Sequence, residues 1–472
     1  MKQLHSPSPV RLLRARHVLP FVLLCGAGSA FAQDPQPLMG QPLIGLTPTQ
    51  LQHFEEGRLA FSTPLTEAQG LGPIFNEVSC ISCHNQPAVG GFSTRRVTRF
   101  GKAAVGPVPF DPLMGLGGTL LQDQSLDVAC REVVPPEADH TIQRGTPALF
   151  GAGLLEAIPD AAILAVQAAQ PVAVQGIPRH NQPLESPAGP TVLGRFGWKG
   201  GVSTVESFSI DASLNEMGLT SPFASTENAP NGDLGLLASC DSVTDPEDAP
   251  DTAGFTLTQR FTHFQRYLAA PAQTPQMGMA GEVIFDQVGC MDCHVSSYTT
   301  GTVAEAALSG KTIRPYSDFL LHDMGALGDG IVDGIATETL MMTRPLWGVA
   351  QRSALLHDGR ATGASFGGLI DLAVAEHGGQ ADASRIAYQA LSAGDRDLLV
   401  EFLASLGRAE FDWDTDNLLT EFDWFFLEPL MTGPAPAVPL TPDDPGALCD
   451  VDADGDFDLV EFGKLQRVWT AQ

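Results

Sequence analysis

Basic residues are scarce in this chain. Its 472 residues include 26 Lys and Arg against 55 Asp and Glu, which gives a formal net charge of -29 at pH 7. Because such an acidic surface repels the phosphate backbone, the charge excludes a role in binding DNA or RNA. It favours a basic protein as partner or a medium of high salt concentration.

Long hydrophobic runs are also lacking. A short apolar run near the start, residues 18–24, follows a basic region and precedes Ala30-Phe31-Ala32. The run is too short to cross a bilayer. A basic region, a short apolar stretch and an A-x-A site are typical of a secretory signal. We therefore predict a signal peptide over residues 1–32 and a mature protein that is periplasmic or secreted and does not span the membrane.

Cysteine is sparse, with eight residues in the chain. Cys25 lies in the predicted signal peptide, and four others belong to a repeated motif. Because an exported protein folds in an oxidising compartment, we predict a disulfide between Cys130 and Cys240. Cys449 is then left unpaired.

Two copies of C-x-x-C-H carry the strongest chemical signal. They consist of Cys80, Cys83 and His84, and of Cys290, Cys293 and His294. Two thiols one helical turn apart can attach to the two vinyl groups of a haem, and the adjacent histidine supplies the proximal ligand of the iron. A redox dithiol does not need the histidine, and a zinc site needs four ligands at each place. The motifs therefore predict two covalently bound c-type haems.

The surroundings of the two motifs are also similar. Phe75 and Phe285 each stand five residues before the first cysteine, which suits a helix that packs its phenylalanine against the haem edge. Ser392 and Gly407 mark the predicted start and end of a terminal helix. Because strand signals are few, we predict a mainly α fold with two cytochrome c-like haem domains in tandem, residues 33–270 and 271–408.

The remaining segment, residues 409–472, resembles a calcium-binding region. A twelve-residue EF-hand loop is predicted from its acidic positions, with Gly455 at the sharp turn; these positions are Asp450, Asp452, Asp454, Asp456, Asp458 and Glu461. A solvated acidic tail is the alternative. Residues 412–423 form a degenerate copy in which Asn417 replaces the glycine, and whether this copy binds calcium stays open.

Several further motifs, taken in order, resemble a known family. They are Arg195-Phe196-Gly197-Trp198-Lys199, Asn215-Glu216-Met217-Gly218, Tyr316-Ser317-Asp318 with Met324-Gly325, and Leu356-His357-Asp358-Gly359-Arg360. From about residue 52 to residue 408 the chain resembles the di-haem oxidoreductase family of peroxidase-like proteins. That family is related to bacterial di-haem cytochrome c peroxidases and, more distantly, to di-haem rubber oxygenases. The resemblance implies an enzyme with peroxide as acceptor.

The resemblance also implies roles for three residues. Trp198 matches a tryptophan that helps electrons pass between the haems, although it could simply pack in the core. Glu216 matches a glutamate that shuttles a proton during O–O cleavage; the alternative is a solvated residue at a helix end. Phe208 stands where the peroxidases carry a glutamine, and a phenyl ring cannot hydrogen-bond peroxide. Since the rubber oxygenases are also apolar here, oxygenation of an apolar substrate stays open.

The sixth ligands of the two haems are predicted to differ. His377 follows the block where related peroxidases carry a ligating methionine, so we expect His294 and His377 to ligate the second haem. His322 and Met324 are rival ligands, and His377 could also be a surface residue. The chain has no histidine between positions 85 and 139, so we expect an open first haem.

Together these residues predict a direction of electron flow. We expect a small redox protein to deliver electrons to the second haem, and the first haem to reduce peroxide. An electron-transfer cytochrome without its own substrate is the alternative.

Overall fold

The computed structural model describes residues 35–275 and 278–469, so the predicted signal peptide lies outside the described residues. Helical residues make up 36% of the structure. Within the described ranges the α-helices are α1 Pro48–Ser62, α2 Ala152–Glu156, α3 Asp160–Ala169, α4 Val205–Met217, α5 Leu234–Cys240, α6 Leu257–Tyr267, α7 Ala280–Gln287, α8 Phe366–Ala375, α9 Asp382–Gln389, α10 Ala393–Ser405, α11 Glu421–Leu427 and α12 Leu459–Val468.

The strands form short two-stranded antiparallel ribbons rather than a sheet. The pairs are β1 Ile74–Phe75 with β3 Gln124–Ser125, β2 Arg96–Gly101 with β4 His140–Gly145, β5 His180–Asn181 with β6 Val192–Leu193, β7 Tyr298–Thr299 with β8 Thr312–Ile313, β9 Leu321–Asp323 with β10 Leu340–Met342, and β11 Ala354–Leu355 with β12 Ala361–Thr362. Such ribbons connect helices and loops without forming a layer of their own. The helical part of the predicted fold class is therefore confirmed.

Local sequence explains where the main helices begin. The hydroxyl of Thr47 accepts from the amide of Gln50, and Thr256 accepts in the same way from Gln259. These capping boxes satisfy amides that have no partner inside the helix. Ser392 caps α10 by accepting from the amide of Asp395, as the sequence predicted.

Two helix pairs lie at the same places relative to the two C-x-x-C-H motifs. Helix α1 precedes the first motif and packs on α6, and α7 precedes the second motif and packs on α10. Both crossings are close at a glycine. A Cβ at Gly57 would lie 2.4 Å from the carbonyl oxygen of Arg260, and one at Gly281 would lie 2.1 Å from that of Leu398. Only glycine allows two helix backbones to approach this closely.

The phenylalanine predicted beside the first haem is placed differently in the structure. Phe285 lies in α7, with its ring 6.2 Å from that of His294, as its spacing predicted. Phe75, however, lies in strand β1. The equivalent of Phe285 is Phe61 in α1, whose ring is 5.9 Å from that of His84. The prediction of a helix at Phe75 was wrong because the chain between α1 and the first motif is longer than its counterpart.

The predicted disulfide is confirmed, since Cys130 is bonded to Cys240. Cys449 is a free and fully buried thiol. It belongs to a separate apolar cluster of the C-terminal segment with Phe411, Leu419 and Phe457. The predicted domain limits at residues 270 and 408 stay predictions. No helix among the described residues has the length and apolar character needed to cross a membrane.

Candidate functional site

The first C-x-x-C-H motif forms a tight turn that brings its three side chains together. Cys80–Ser82 is one 3-10 turn, and the amide of His84 donates to the carbonyl of Cys80 at 3.0 Å. The ring nitrogen Nδ1 of His84 lies 2.9 Å from the carbonyl oxygen of Gly91. Because this bond makes Nδ1 the donor, Nε2 is left as the nitrogen that can bind a metal.

The second motif repeats this arrangement. Cys290–Asp292 forms the turn, and the amide of His294 donates to the carbonyl of Cys290 at 2.9 Å. Nδ1 of His294 lies 2.9 Å from the carbonyl oxygen of Tyr316. Burial lowers the pKa of both motif histidines, His84 and His294, to about 4, so each ring is neutral at pH 7. A neutral ring with a free Nε2 is the form that ligates iron.

A cavity of about 220 Å³ opens beside the second motif. Cys290, Cys293 and His294 line it, and so does His377. Nδ1 of His377 lies 2.7 Å from the carbonyl oxygen of Ala373 in α8. Because Nδ1 makes this bond, Nε2 is again the nitrogen that can bind a metal. His294 and His377, the predicted ligand pair, therefore line one cavity, and the side chain of His377 is half-buried.

The rival ligands His322 and Met324 line the same cavity. His322 is already engaged by both ring nitrogens, because Nε2 lies 2.7 Å from Oδ2 of Asp318 and Nδ1 lies 3.8 Å from the sulfur of Cys293. The same oxygen of Asp318 accepts from Gln170 at 2.7 Å. To ligate iron, His322 must give up its bond to a fully buried carboxylate, which favours His377 as the ligand.

Two arginines of the cavity wall have no carboxylate partner in the part of the chain that the structure describes. Arg344 donates to the carbonyl of Gly197 at 3.1 Å and lies over the Trp198 ring, and Arg352 lies over the ring of Phe92. Burial lowers the pKa of Arg344 to about 9 and that of Arg352 to about 10. Since guanidinium groups bind carboxylates in a bidentate manner, both are available to the propionates of a haem.

Trp198 lies at the border of two cavities. It lines the cavity of the second motif and also a smaller one that Phe92 lines on the side of the first motif. Its indole Nε1 donates to the carbonyl of Gly145 at 2.9 Å, and its ring meets that of His357 edge-on at 6.2 Å. The bond to Gly145 fixes the orientation of the indole between the two cavities.

Glu216 lies in the last turn of α4, close to the first motif. Its Oε2 accepts from Nδ2 of Asn76 at 2.8 Å. Burial raises the pKa of Glu216, and the positive charge of Arg99 opposes this most strongly. The carboxylate also raises the pKa of the Cys83 thiol, after the larger effect of burial, which places Glu216 within electrostatic range of the first motif. A carboxyl group in this position can accept and donate a proton.

Phe208 lies in the same helix as Glu216 but far from it along the helix axis. The two residues are eight positions apart, which is about 12 Å along a helix axis. The ring of Phe208 stacks on that of Phe196 at 6.0 Å, and both line a cavity of about 40 Å³ to which Gln265 and Arg344 add polar groups. Phe208 therefore contributes an apolar ring to a cavity of mixed lining.

The two acidic loops of the C-terminal segment have the same internal hydrogen bonds. The carboxylate of Asp450 accepts from the amides of Asp454 and Gly455, and that of Asp412 accepts from the amides of Asp416 and Asn417. Gly455 and Asn417 both have positive φ, 88° and 67°. Asparagine is one of the few residues besides glycine that tolerates this conformation. The degenerate copy therefore has the backbone shape of the intact loop.

The helical flanks of the second loop are incomplete. Helix α12 follows it, but only the 3-10 turn Pro445–Leu448 precedes it. The buried ammonium of Lys464 lies 3.0 Å from Asp452 and 3.1 Å from Glu461, positions 3 and 12 of the loop. The other oxygen of Asp452, Oδ1, is buried without a hydrogen-bond partner. An oxygen in this state fits a cation ligand, and a cation that engages Asp452 and Glu461 must compete with Lys464.

Sequence reasoning missed several residues of these sites. Gly57 and Phe61 have the same spacing as Gly281 and Phe285, so a G-x-x-x-F pattern could have found the helix crossing of the first unit. Arg344 and Arg352 were missed because their role depends on the absence of a carboxylate nearby in space, and Arg99 was missed because its role depends on its proximity to Glu216. The ring nitrogen Nε2 of His357 is buried beside Trp198 without a hydrogen-bond partner. This feature too depends on the surroundings in space and not on a sequence pattern.

Two solved structures resemble the chain over most of its length. A MauG-like protein associated with microbial copper homeostasis is 12% identical, with 79% of this chain and 93% of that chain covered and a TM-score of 0.36. Hydrazine synthase of Kuenenia stuttgartiensis is 13% identical, with 86% and 100% covered and a TM-score of 0.33. TM-scores this low do not establish a shared fold. No curated protein sequence matches the chain.

A family model gives the decisive likeness. The family described as "Di-haem oxidoreductase, putative peroxidase" matches residues 134–406, more than half of the 472 residues. The matched range holds Trp198, Glu216, the second C-x-x-C-H motif and His377, and it begins after the first motif. The chain belongs to the di-haem oxidoreductase family.

Proposed function

We propose that this protein is an exported di-haem c-type cytochrome that reduces peroxide. The observation that carries the proposal is the carboxyl of Glu216, which is hydrogen-bonded to Asn76 within electrostatic range of the first motif, while His377 lines a cavity with the second motif. One motif thus has a proton-exchanging group nearby, and the other has a candidate sixth ligand. The two sites are suited to different tasks.

The residues present fit two covalently bound haems. In each motif two thiols and a histidine with a free Nε2 share one turn, and Arg344 and Arg352 are unpaired cations on the cavity walls. His84 and His294 would be the proximal ligands, and His377 the sixth ligand of the second haem. When bound, the haems supply the redox chemistry: one peroxide takes up two electrons and two protons and gives two molecules of water.

The protein groups near the first motif manage the protons. Glu216 would take a proton from one oxygen of the substrate peroxide and deliver it to the other oxygen, which leaves as water. Asn76 holds the carboxylate through its 2.8 Å hydrogen bond, and Arg99 supplies positive charge that favours the ionised form. Trp198, fixed between the cavities by Gly145, is the candidate for electron transfer from the second site to the first.

The remaining assignments follow from sequence and charge. We place the mature protein in the periplasm or outside the cell, with haem domains over residues 33–270 and 271–408. A small basic redox protein suits an acidic chain of this charge as electron donor. Calcium is assigned to the loop with Asp450 and Glu461, where it would stiffen the C-terminal segment.

The proposal is tested by the variant Glu216→Gln in the holoprotein. We expect peroxide turnover to fall by about 10²–10⁴-fold, because the amide cannot accept the proton. Glu206→Gln is the matched control: it changes the same residue type in the same helix, but its carboxylate lies near Glu185 and Glu156 instead. Equal turnover in wild type and Glu216→Gln would favour an electron carrier without its own substrate.

A second candidate function rests on Phe208. Its stack with Phe196 gives part of the cavity wall an apolar surface, which suits an apolar organic substrate and oxygenase chemistry. Oxygen uptake that requires such a substrate and no peroxide, and that falls in Phe208→Gln, would favour this function over peroxide reduction.

A further inference from the structure

Three carboxylates meet beside the segment that follows α4, outside the haem sites. They belong to Glu227, Asp245 and Glu247, and one oxygen of each lies within 4.8 Å of the other two. Thr220, two residues after the end of α4 at Gly218, joins the group. Its hydroxyl lies 2.8 Å from Oδ1 of Asp245 and also contacts Oε2 of Glu247. Four oxygen-bearing side chains from three stretches of chain thus converge.

The oxygen Oε2 of Glu227 has no partner. Glu227 is only 6% exposed, and its Oε2 is buried without any hydrogen bond. Its other oxygen accepts from the amide of Asn228 at 3.0 Å. A buried oxygen without a partner costs free energy, so such atoms in native structures usually face a water or an ion.

No cation of the described chain offsets these charges. Glu227, Asp245 and Glu247 form no ion pair with Lys, Arg or His within residues 35–275 and 278–469. Acidic residues nearby do have such partners: Asp251 lies 2.6 Å from Arg260. Burial, with the charge of Glu247 next, raises the pKa of Glu227 to about 8. The three carboxylates and the unpartnered oxygen of Glu227 thus lack the positive partner that a bound cation would supply.

We propose that Glu227, Asp245 and Glu247 bind a calcium ion. The ligands are all oxygen, and no nitrogen or sulfur ligand is part of the cluster, which fits a hard cation better than zinc. Three carboxylates and the Thr220 hydroxyl leave positions for water, and calcium accepts such mixed, irregular ligand sets more readily than magnesium. The ion binds Oε2 of Glu227 and neutralises the cluster.

The position of the site gives it a structural role near Glu216. The ion ties the chain just after α4 to residues 245–247, and Glu216 lies in the last turn of α4. Because Gly218, the end of α4, also packs against Gly72, the helix end is held from two sides. This site is separate from the acidic loops of the C-terminal segment.

Calorimetric titration of the chelator-treated holoprotein with calcium chloride tests the proposal. We expect Glu227→Gln and, separately, Glu247→Gln to lose one calcium equivalent that wild type binds. Glu137→Gln, a change at an exposed residue, should leave the stoichiometry unchanged. Asp450→Asn should lose a different equivalent, so that its combination with Glu227→Gln loses both.

Thermal unfolding gives a second readout. Without calcium, Glu227→Gln should unfold at the same temperature as wild type or higher, because the amide removes repulsion among three acids. With calcium, only wild type and the Glu137→Gln control should gain the full increase in unfolding temperature.

Two results would overturn the proposal. One is an unchanged calcium stoichiometry in both Glu227→Gln and Glu247→Gln. The other is magnesium binding at this site as tight as calcium binding, which would reject calcium as its ion. If Glu227→Gln does not fold, the calcium stoichiometry of Glu247→Gln, a change at a half-buried residue, is the deciding measurement.

Discussion

The two C-x-x-C-H motifs are held by the same contacts but face different side chains. In each, a helix carrying a close-packed glycine places a phenylalanine near the motif histidine, and a backbone carbonyl fixes Nδ1 of that histidine. His377 faces the second motif, whereas Glu216 and Arg99 lie near the first. In the proposed function, the attachment of each haem and its task are therefore set by different parts of the chain.

The side chains near the two motifs also differ in their charge. Near the first motif a glutamate and an arginine of opposite charge are both partly buried, and this burial raises the pKa of Glu216 and lowers that of Arg99. The candidate ligand near the second motif is a neutral histidine, since burial lowers the pKa of His377. The first motif therefore has charged groups near it, whereas the candidate ligand near the second motif is uncharged.

Removing the cysteines of one motif should have the largest effect. Cys80→Ala with Cys83→Ala should yield a protein with one haem and no reaction with peroxide. Cys290→Ala with Cys293→Ala should also leave one haem but keep its reaction with peroxide. Mass spectrometry and absorption spectra measure both. If the two double variants react with peroxide to the same extent, the two motifs do not have different tasks.

Replacing His377 should change the second site alone. His377→Gly should turn one low-spin haem high-spin, and His377→Met should raise its potential by on the order of 0.1 V, within the roughly 0.8 V that axial ligands span. Redox titration followed by absorption measures the potential. His322→Gln is the control, and a larger shift in this variant would assign the ligand to His322 instead.

The pH dependence of turnover tests the group near the first motif. Glu216 must be ionised to accept a proton, so turnover should fall as the pH drops through its pKa, which burial raises above the usual value of about 4.3. Arg99 lowers this pKa, so Arg99→Gln should move the acidic limb to higher pH. Turnover measured across pH in wild type and Arg99→Gln decides; a limb that stays in place or moves to lower pH would contradict the assignment.

Chelation of calcium should have the smallest effect. If the loop with Asp450 binds calcium, saturation at about 100 times Kd stabilises the folded state by about 2.7 kcal/mol. The C-terminal segment should then unfold at a lower temperature in chelator, and Asp450→Asn should abolish that difference. Lys464→Met should tighten calcium binding, because it removes the ammonium that pairs with Asp452 and Glu461.

Sequence reasoning succeeded where the chemistry is local. C-x-x-C-H places two thiols and a histidine on one turn without help from the rest of the fold, and Ser392 caps α10 within its own residues. The pairing of Cys130 with Cys240 followed from the few cysteines left in an oxidising compartment.

Where the outcome depends on distant contacts, sequence reasoning failed. Phe75 was matched to Phe285 by spacing alone, but the longer connection after α1 gives that place to Phe61. The free guanidinium groups of Arg344 and Arg352 and the orphaned oxygen of Glu227 follow from what surrounds them in space. No pattern along the chain reports which buried charge lacks a partner.

The most direct test is an absorption and EPR spectrum of the purified holoprotein, recorded before and after hydrogen peroxide is added. We expect one high-spin and one low-spin haem at rest, with the high-spin signal changing first upon addition of peroxide. Two low-spin haems that do not respond to peroxide would contradict the account, and the role of Glu216 would fall with it.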